Sequence, residues 1–136
     1  MRTEDWVTHI TAAVVKELEA ARQKAGSSSR GIPVGVSNRH VHLSQEDLER
    51  LFGMGARLTK TKDLSQTGQY ACEEKVTLAG PRGVIEGLRV LGPLRSQTQV
   101  EVSAADGFRL GLKPPVRDSG DLKDSAKAVL VGPAGA

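Results

Sequence analysis

Apolar residues recur every three or four positions through the first 25 residues of this 136-residue chain. This spacing is typical of an amphipathic helix. It predicts a helix over residues 4–24, with Thr3 as a candidate N-cap. The apolar positions of the predicted stripe are Trp6, Val7, Ile10, Ala13, Val14, Val15, Leu18 and Ala21. Such a stripe needs a partner surface.

Small and polar residues replace the stripe over residues 26–31, which the composition indicates to be a flexible linker. The sequence therefore divides into a helix at 1–25, a linker at 26–31 and a domain at 32–136. The helix can dock on its own domain, on a sister subunit, or on a larger assembly as a targeting segment. The pattern leaves these alternatives open.

After residue 32 the helical period gives way to short apolar runs separated by glycine and proline. The predicted strands are 32–37, 56–60, 75–80, 84–91, 98–103, 108–112 and 127–131. Strands at this spacing are typical of a small β-barrel or sandwich. One short helix interrupts them: Ser44 is its predicted N-cap, Asp47 occupies the N3 position, and Gly53 or Gly55 ends it.

The composition narrows the class of protein. A chain of 136 residues with 38% apolar residues suits one domain. Nineteen basic against 16 acidic residues give only +3, and aromatic residues make up 3%, which argues against a nucleic-acid-binding surface. A single cysteine, Cys72, excludes an internal disulfide, and no apolar run is long enough to span a membrane. We therefore expect a cytoplasmic protein.

Two of the three histidines, His40 and His42, stand two positions apart just before the short helix. On a strand they share one face, about 6.5 Å apart along the backbone, so two ring nitrogens can converge on one cation. Glu101 lies on the polar face of the strand at 98–103. It is either a solvated residue or a third ligand, and His, His and Glu suit zinc with one open position. His9 is expected to be a solvated helix residue.

Arginines and a polar loop offer further candidate chemistry. Arg89 and Arg95 precede the strand of Glu101, and guanidinium groups suit bidentate phosphate recognition, although surface arginines are common. The loop at 114–121 is rich in hydrogen-bonding groups. It is either a plain connection or part of a site.

Four segments together resemble one known family. They are SNRHVHLS at 37–44, KDLSQTGQY at 62–70, VLGPLRSQTQVEVS at 90–103 and PPVRDSGDL at 114–122. In this order they resemble the PduL-type phosphotransacylases, the phosphate propanoyltransferases of bacterial microcompartments. The resemblance covers about residues 32–136. It implies two related β-barrels with zinc between them, and exchange of a propanoyl or acetyl group between coenzyme A and phosphate.

The resemblance also implies roles for matching residues. His40, His42 and Glu101 would bind one zinc ion, and Arg95 would hold the phosphate. The positions implied to face coenzyme A are Ser37, Lys62, Arg89 and Leu91. Residues 1–25 are similar to the encapsulation peptides that bind microcompartment shell or core proteins, so the protein is expected in the cytoplasm, inside a microcompartment if the helix is such a peptide.

One departure from the family pattern keeps alternatives open. The family continues into a second barrel with a second zinc site, whereas no histidine follows His42 here. The chain is thus expected to represent the first barrel, which could be an enzyme, a homo-oligomer, or a catalytically silent domain that binds coenzyme A or a partner protein. A hydrolase using the same ligands, with water in place of phosphate, is the third reading.

Overall fold

The structure is a computed structural model that describes residues 3–27, 31–32 and 37–136. Its two compact units are Met1–Val36 and Ser37–Ala136. Most of the predicted strand at 32–37 and part of the linker at 26–31 lie outside the described residues. No helix among the described residues is long and apolar enough to cross a membrane.

The first unit contains helix α1, Thr3–Ser27. The predicted helix is therefore confirmed, and it runs three residues further than its predicted end. The larger apolar side chains of its stripe are all more than two-fifths exposed: Trp6, Val7, Ile10, Val14, Val15 and Leu18. The large apolar residues of α1 thus follow the helical period, but they are exposed.

The second unit is built on a six-stranded mixed sheet, so the predicted mainly β class is confirmed. The strands are β1 His40–His42, β2 Lys60–Asp63, β3 Tyr70–Ala79, β4 Val84–Gly92, β5 Gln99–Glu101 and β6 Val129–Val131. They pair in the order β2-β3-β4-β1-β5, and β6 also pairs with β3. Pairing among the described strands leaves the sheet open, and a closed barrel stays a prediction.

Strand β1 occupies the position that matters most for the site. It lies between β4, to which it is parallel, and β5, to which it is antiparallel. All three of its residues are buried. Because the strand has neighbours on both edges, its backbone hydrogen-bonding groups can be paired although it is only three residues long.

Helix α2, Gln45–Phe52, follows β1 and confirms the predicted strand-to-helix junction. Ser44 is the N-cap, its hydroxyl accepting a hydrogen bond from Asp47 N at 3.2 Å, and Gly53 is the C-cap with φ 109°. The Asp47 carboxylate does not complete a capping box but accepts a hydrogen bond from the Thr98 hydroxyl. Leu48 and Leu51 of this helix enter the hydrophobic core.

The predicted strand at 108–112 is wrong, because residues Ala104–Leu110 form helix α3. Ser103 and Asp106 make a complete capping box: Ser103 Oγ accepts from Asp106 N at 3.1 Å, and Asp106 Oδ2 accepts from Ser103 N at 3.4 Å. Gly111 then ends the helix with φ 75°. The sequence Ala105-Asp106-Gly107, which also resembles a turn, is therefore part of a helix start.

The remaining strand predictions differ mainly in their bounds. The strand at 84–91 is confirmed, while those at 75–80, 98–103 and 127–131 overlap β3, β5 and β6. The strand predicted at 56–60 is displaced, since β2 begins at Lys60. The core that these elements enclose is formed by Val41, Leu43, Leu48, Leu51, Cys72, Val76, Leu78, Ile85, Leu88, Val90 and Leu110.

Candidate metal centre

Strand pairing brings the third candidate ligand beside the two histidines. His40 is the register partner of Glu101 on β5, and His42 is the partner of Gln99. Residues opposite each other across a ladder, and residues two apart on one strand, project from the same face. Glu101 therefore faces the same side as both histidines, although 59 or more residues separate them in sequence.

The side-chain atoms converge. His40 Nε2 lies 3.3 Å from Glu101 Oε2, and His42 Nε2 lies 3.6 Å from Glu101 Oε1. The two imidazole rings meet edge to face, with their centroids 4.9 Å apart. One ligand atom from each of the three residues falls within 4.8 Å of the others. The structure thus brings together the three residues that the sequence suggested as ligands.

Hydrogen bonding leaves imidazole nitrogens available for a cation. His40 Nδ1 lies 2.6 Å from the carbonyl oxygen of Asn38, which fixes the proton on Nδ1 and leaves the lone pair on Nε2. His42 Nδ1 is buried and has no hydrogen-bond partner among the protein atoms of the described residues. A buried polar atom of this kind needs a partner that the side chains around it do not supply.

The electrostatic environment keeps His42 neutral. Burial, followed by the charges of Arg95 and His40, lowers its pKa to about 4, against the opposing effect of Glu101. At neutral pH the ring therefore carries no charge and can donate a lone pair. Two imidazoles and one carboxylate form a donor set that fits zinc and leaves one coordination position open.

A salt bridge holds the start of β1 in place. Arg39 contacts the Asp106 carboxylate through two atoms at 2.9 Å, from Nε to Oδ2 and from Nη2 to Oδ1. Burial alone would raise the pKa of Asp106, but hydrogen bonds from Arg39 and Ser103 outweigh it and lower that pKa. The pair ties the residue before His40 to helix α3. Sequence reasoning missed it, because a strand was predicted at 108–112 and the helix that contains Asp106 was not recognised.

Arg95, the residue predicted to bind phosphate, lies close to the three candidate metal ligands. Its backbone N–H donates to Leu43 O at 2.9 Å, just after β1, and its charge contributes to the lowered pKa of His42. Its guanidinium Nη1 donates to Ser119 Oγ at 3.0 Å. The polar loop at 114–121 is therefore in contact with a residue of the candidate site.

The residues expected to face coenzyme A are spread along the sheet. Arg89 and Leu91 are the β4 register partners of His40 and His42, and Arg89 donates from Nη1 to Cys72 O at 3.4 Å. Lys62 lies on β2, and Ser37 is exposed just before β1. None of the contacts described for residues 37–136 joins Ser37 or Lys62 to the histidines.

Cys72 is fully buried in the core, and burial raises the pKa of its thiol to about 11. A protonated, inaccessible thiol is a poor nucleophile. Cys72 therefore belongs to the hydrophobic core and is unsuited to act as a nucleophile.

A family model described as phosphate propanoyltransferase matches residues 33–136, a stretch that contains every candidate residue above. The chain belongs to the phosphate propanoyltransferase family. The match includes β1 to β6 with α2 and α3, so the three candidate metal ligands lie on elements that the family model covers.

Curated relatives named phosphate propanoyltransferase are similar over most of this chain. The protein of Thermotoga maritima is 64% identical over 105 residues, 77% of this chain and 50% of the relative. That of Rhodobacter capsulatus is 62% identical over 104 residues, 76% of this chain and 48% of the relative. The protein of Priestia megaterium is 52% identical over 129 residues, or 95% of this chain and 58% of the relative.

The chain spans about half the length of the curated relatives it matches. Since residues 33–136 number only 104, the 129-residue similarity to the Priestia megaterium protein extends into the region of helix α1. The family model thus covers all three candidate metal ligands, while some relatives are similar through the helix as well.

Proposed function

We propose that this chain carries one metal-binding half of a phosphate acyltransferase, which exchanges a propanoyl or acetyl group between coenzyme A and inorganic phosphate. The observation that supports this most strongly is the convergence of His40, His42 and Glu101 within 4.8 Å in a member of the phosphate propanoyltransferase family. The three residues would hold zinc. Bound there, zinc would act as a Lewis acid toward a carbonyl or phosphate oxygen.

Arg95 is the proposed phosphate-binding residue. Its guanidinium would offset the charge of the phosphate and hold one phosphate oxygen toward the thioester carbonyl carbon. That oxygen forms the new bond to carbon, the carbon–sulfur bond breaks, and the thiolate of coenzyme A leaves and is protonated. The products are an acyl phosphate and free coenzyme A, so no side-chain nucleophile is required.

The register of the sheet supports a path for the coenzyme A arm. Lys62 pairs with Ala71, Ala71 with Leu91, and Leu91 with His42, so the four residues form one row across β2, β3, β4 and β1. Three strand spacings place Lys62 about 14 Å along the sheet from His42. Arg89 lies one spacing from His40. Basic side chains at these distances suit the phosphates of a long, anionic cofactor, and Ser37 would contact the arm near β1.

The test is release of free thiol from propanoyl-coenzyme A by the 136-residue chain, measured with and without phosphate in the presence of zinc. We expect release that requires phosphate, and its loss in Arg95→Ala and Glu101→Gln. His9→Ala, which changes the histidine on α1, serves as the control and should retain full activity. Equal release without phosphate would instead indicate hydrolysis and would contradict the proposed reaction.

The alternative to an acyltransferase is a catalytically silent domain. In this reading the domain binds coenzyme A or a partner protein without turnover. It is distinguished by zinc and coenzyme A binding in calorimetry with no thiol release under any phosphate concentration.

The exposed apolar stripe of α1 supports a targeting role for residues 1–25. We propose that this segment binds shell or core proteins of a bacterial microcompartment in the cytoplasm, with self-association of the helix as the alternative. Fusion of residues 1–31 to a fluorescent protein, followed by co-purification with isolated microcompartments, tests the first. Sedimentation of the same fusion alone tests the second.

A further inference from the structure

A serine far from the cluster in sequence makes three hydrogen bonds at its edge. Ser119 Oγ accepts from Arg95 Nη1 at 3.0 Å and from Gln99 Nε2 at 3.1 Å, and it donates to Glu101 Oε1 at 3.3 Å. A hydroxyl offers one donor and two acceptor lone pairs. The hydrogen-bonding capacity of Ser119 is therefore fully used by residues of the candidate site.

Gln99 provides a second link between Glu101 and the loop that contains Ser119. Its side chain is buried, its Nε2 donates to Glu101 Oε1 at 2.7 Å, and its Oε1 accepts from Gly120 N at 2.7 Å. One amide thus fixes both the carboxylate and the backbone next to Ser119. Two neighbouring loop residues, one through its side chain and one through its main chain, are attached to the same point of β5.

These bonds act on the most exposed of the three candidate ligands. The Glu101 side chain is 37% exposed, against 9% for His40 and 2% for His42. Packing alone leaves such a carboxylate free to rotate. With Oε1 held by Gln99 and Ser119, Oε2 is directed toward His40 Nε2. Hydrogen-bonded partners of a metal ligand commonly set its orientation and its affinity.

We infer that Ser119 is a positioning residue that joins the phosphate-binding arginine, Arg95, to the metal-binding carboxylate of Glu101, with Gln99 as the buried support. This inference rests on the proposed metal centre. Ser119 uses one N–H of the Arg95 guanidinium, and this group carries four further donors that suit an anion. The loop therefore sets the separation between the group that holds phosphate and the group that holds the cation.

The experiment compares the zinc affinity of the 136-residue chain with that of three variants, by competition against a chromophoric chelator. Ser119→Ala removes the hydroxyl and should lower zinc affinity about tenfold, the lower end of the range for outer-shell partners. Ser119→Thr keeps the hydroxyl and should restore the affinity. Ser125→Ala is the matched control, because Ser125 lies in the same loop and bonds Leu122 O through its backbone N–H.

A second readout separates positioning from folding. Ser119 is exposed, so the melting temperature of Ser119→Ala should match that of the unchanged chain. With cobalt in place of zinc, the visible spectrum should change on substitution to alanine and return with threonine, because the spectrum reports the ligand geometry.

The outcomes distinguish the positioning role of Ser119 from the existence of the metal centre. Zinc binding by the unchanged chain, with equal affinity in Ser119→Ala, would overturn the role of Ser119 and leave the metal centre intact. Equal losses in the alanine and threonine variants would assign the effect to loop packing and also overturn it. A chain that binds no zinc would overturn the metal centre itself.

Discussion

Strand β1 and helix α1 differ in how their sequences relate to their surroundings. The strand has three residues, yet all three are buried, and partners on β4 and β5 fix their faces. The helix has 25 residues with a regular period, yet its apolar side chains are exposed. The local sequence period therefore specifies α1 as a helix. The side-chain positions on β1 depend instead on its pairing with β4 and β5.

The largest expected difference between the two elements is in metal affinity. His42→Ala on β1 removes a ligand, whereas His9→Ala on α1 removes an exposed imidazole. Since partners of a ligand commonly contribute about 10–100-fold, loss of the ligand itself should lower zinc affinity by more than about 100-fold. Chelator competition measures the affinity of each variant.

The His9→Ala variant should bind zinc as tightly as the unchanged chain. Similar affinity losses in the two variants would mean that zinc is not bound at β1. Circular dichroism of His42→Ala would show whether the domain has kept its fold, and Glu101→Gln provides a ligand change with almost no change in volume.

The next effect concerns the stability of the second unit. Asp106→Ala breaks the contacts of Arg39 and the capping box of α3, and should lower the free energy of unfolding by about 2–3 kcal/mol. The Arg39 side chain is 45% exposed and can regain water, which keeps the cost below that of a fully buried pair. Urea denaturation measures the difference.

An exposed pair serves as the matched comparison. Lys60 Nζ lies 2.6 Å from Asp63 Oδ1 on β2, and both side chains are more than half exposed. Asp63→Ala should cost at most about 1 kcal/mol, as is usual for surface ion pairs. If both alanine variants unfold at the same urea concentration, the Arg39–Asp106 bridge does not stabilise the start of β1.

The contribution of the Arg39–Asp106 bridge to stability should also decrease at acidic pH, with a smaller effect than that of the substitution. Because the pKa of Asp106 is lowered in the folded chain, its contribution is complete above the unfolded value of 3.8 and declines as the pH falls through the folded value. The stability difference between the unchanged chain and Asp106→Asn should therefore shrink below about pH 4. Urea midpoints from pH 6 to pH 3 follow it, and a constant difference would contradict this assignment.

The elements that sequence predicts well are those with local signals. The period of α1 and the Ser44 and Gly53 ends of α2 are read directly from neighbouring residues. The Ser103–Asp106 capping box is equally local, but the Ala-Asp-Gly sequence within it also resembles a turn. A serine followed three residues later by an acid was the signal that could have identified α3.

The candidate site depends on pairings that local signals do not carry. The spacing of His40 and His42 suggests two ligands, but the position of Glu101 opposite His40 follows from strand register. Gln99 could have been noticed, since it shares a face with Glu101 two residues away. Ser119 could not, because only the folded loop brings it to the carboxylate.

The smallest expected effect comes from removing the helix. The core of the second unit is formed by residues 41–110, all within Ser37–Ala136. We therefore expect deletion of residues 1–25 to leave a cooperative melt, with a melting temperature close to that of the complete chain, and zinc affinity unchanged. Differential scanning calorimetry and chelator competition measure the two quantities. Loss of the cooperative transition would refute the prediction and show that the apolar stripe of α1 stabilises the domain, whereas retention of both would make β1 and its neighbours sufficient for the proposed site.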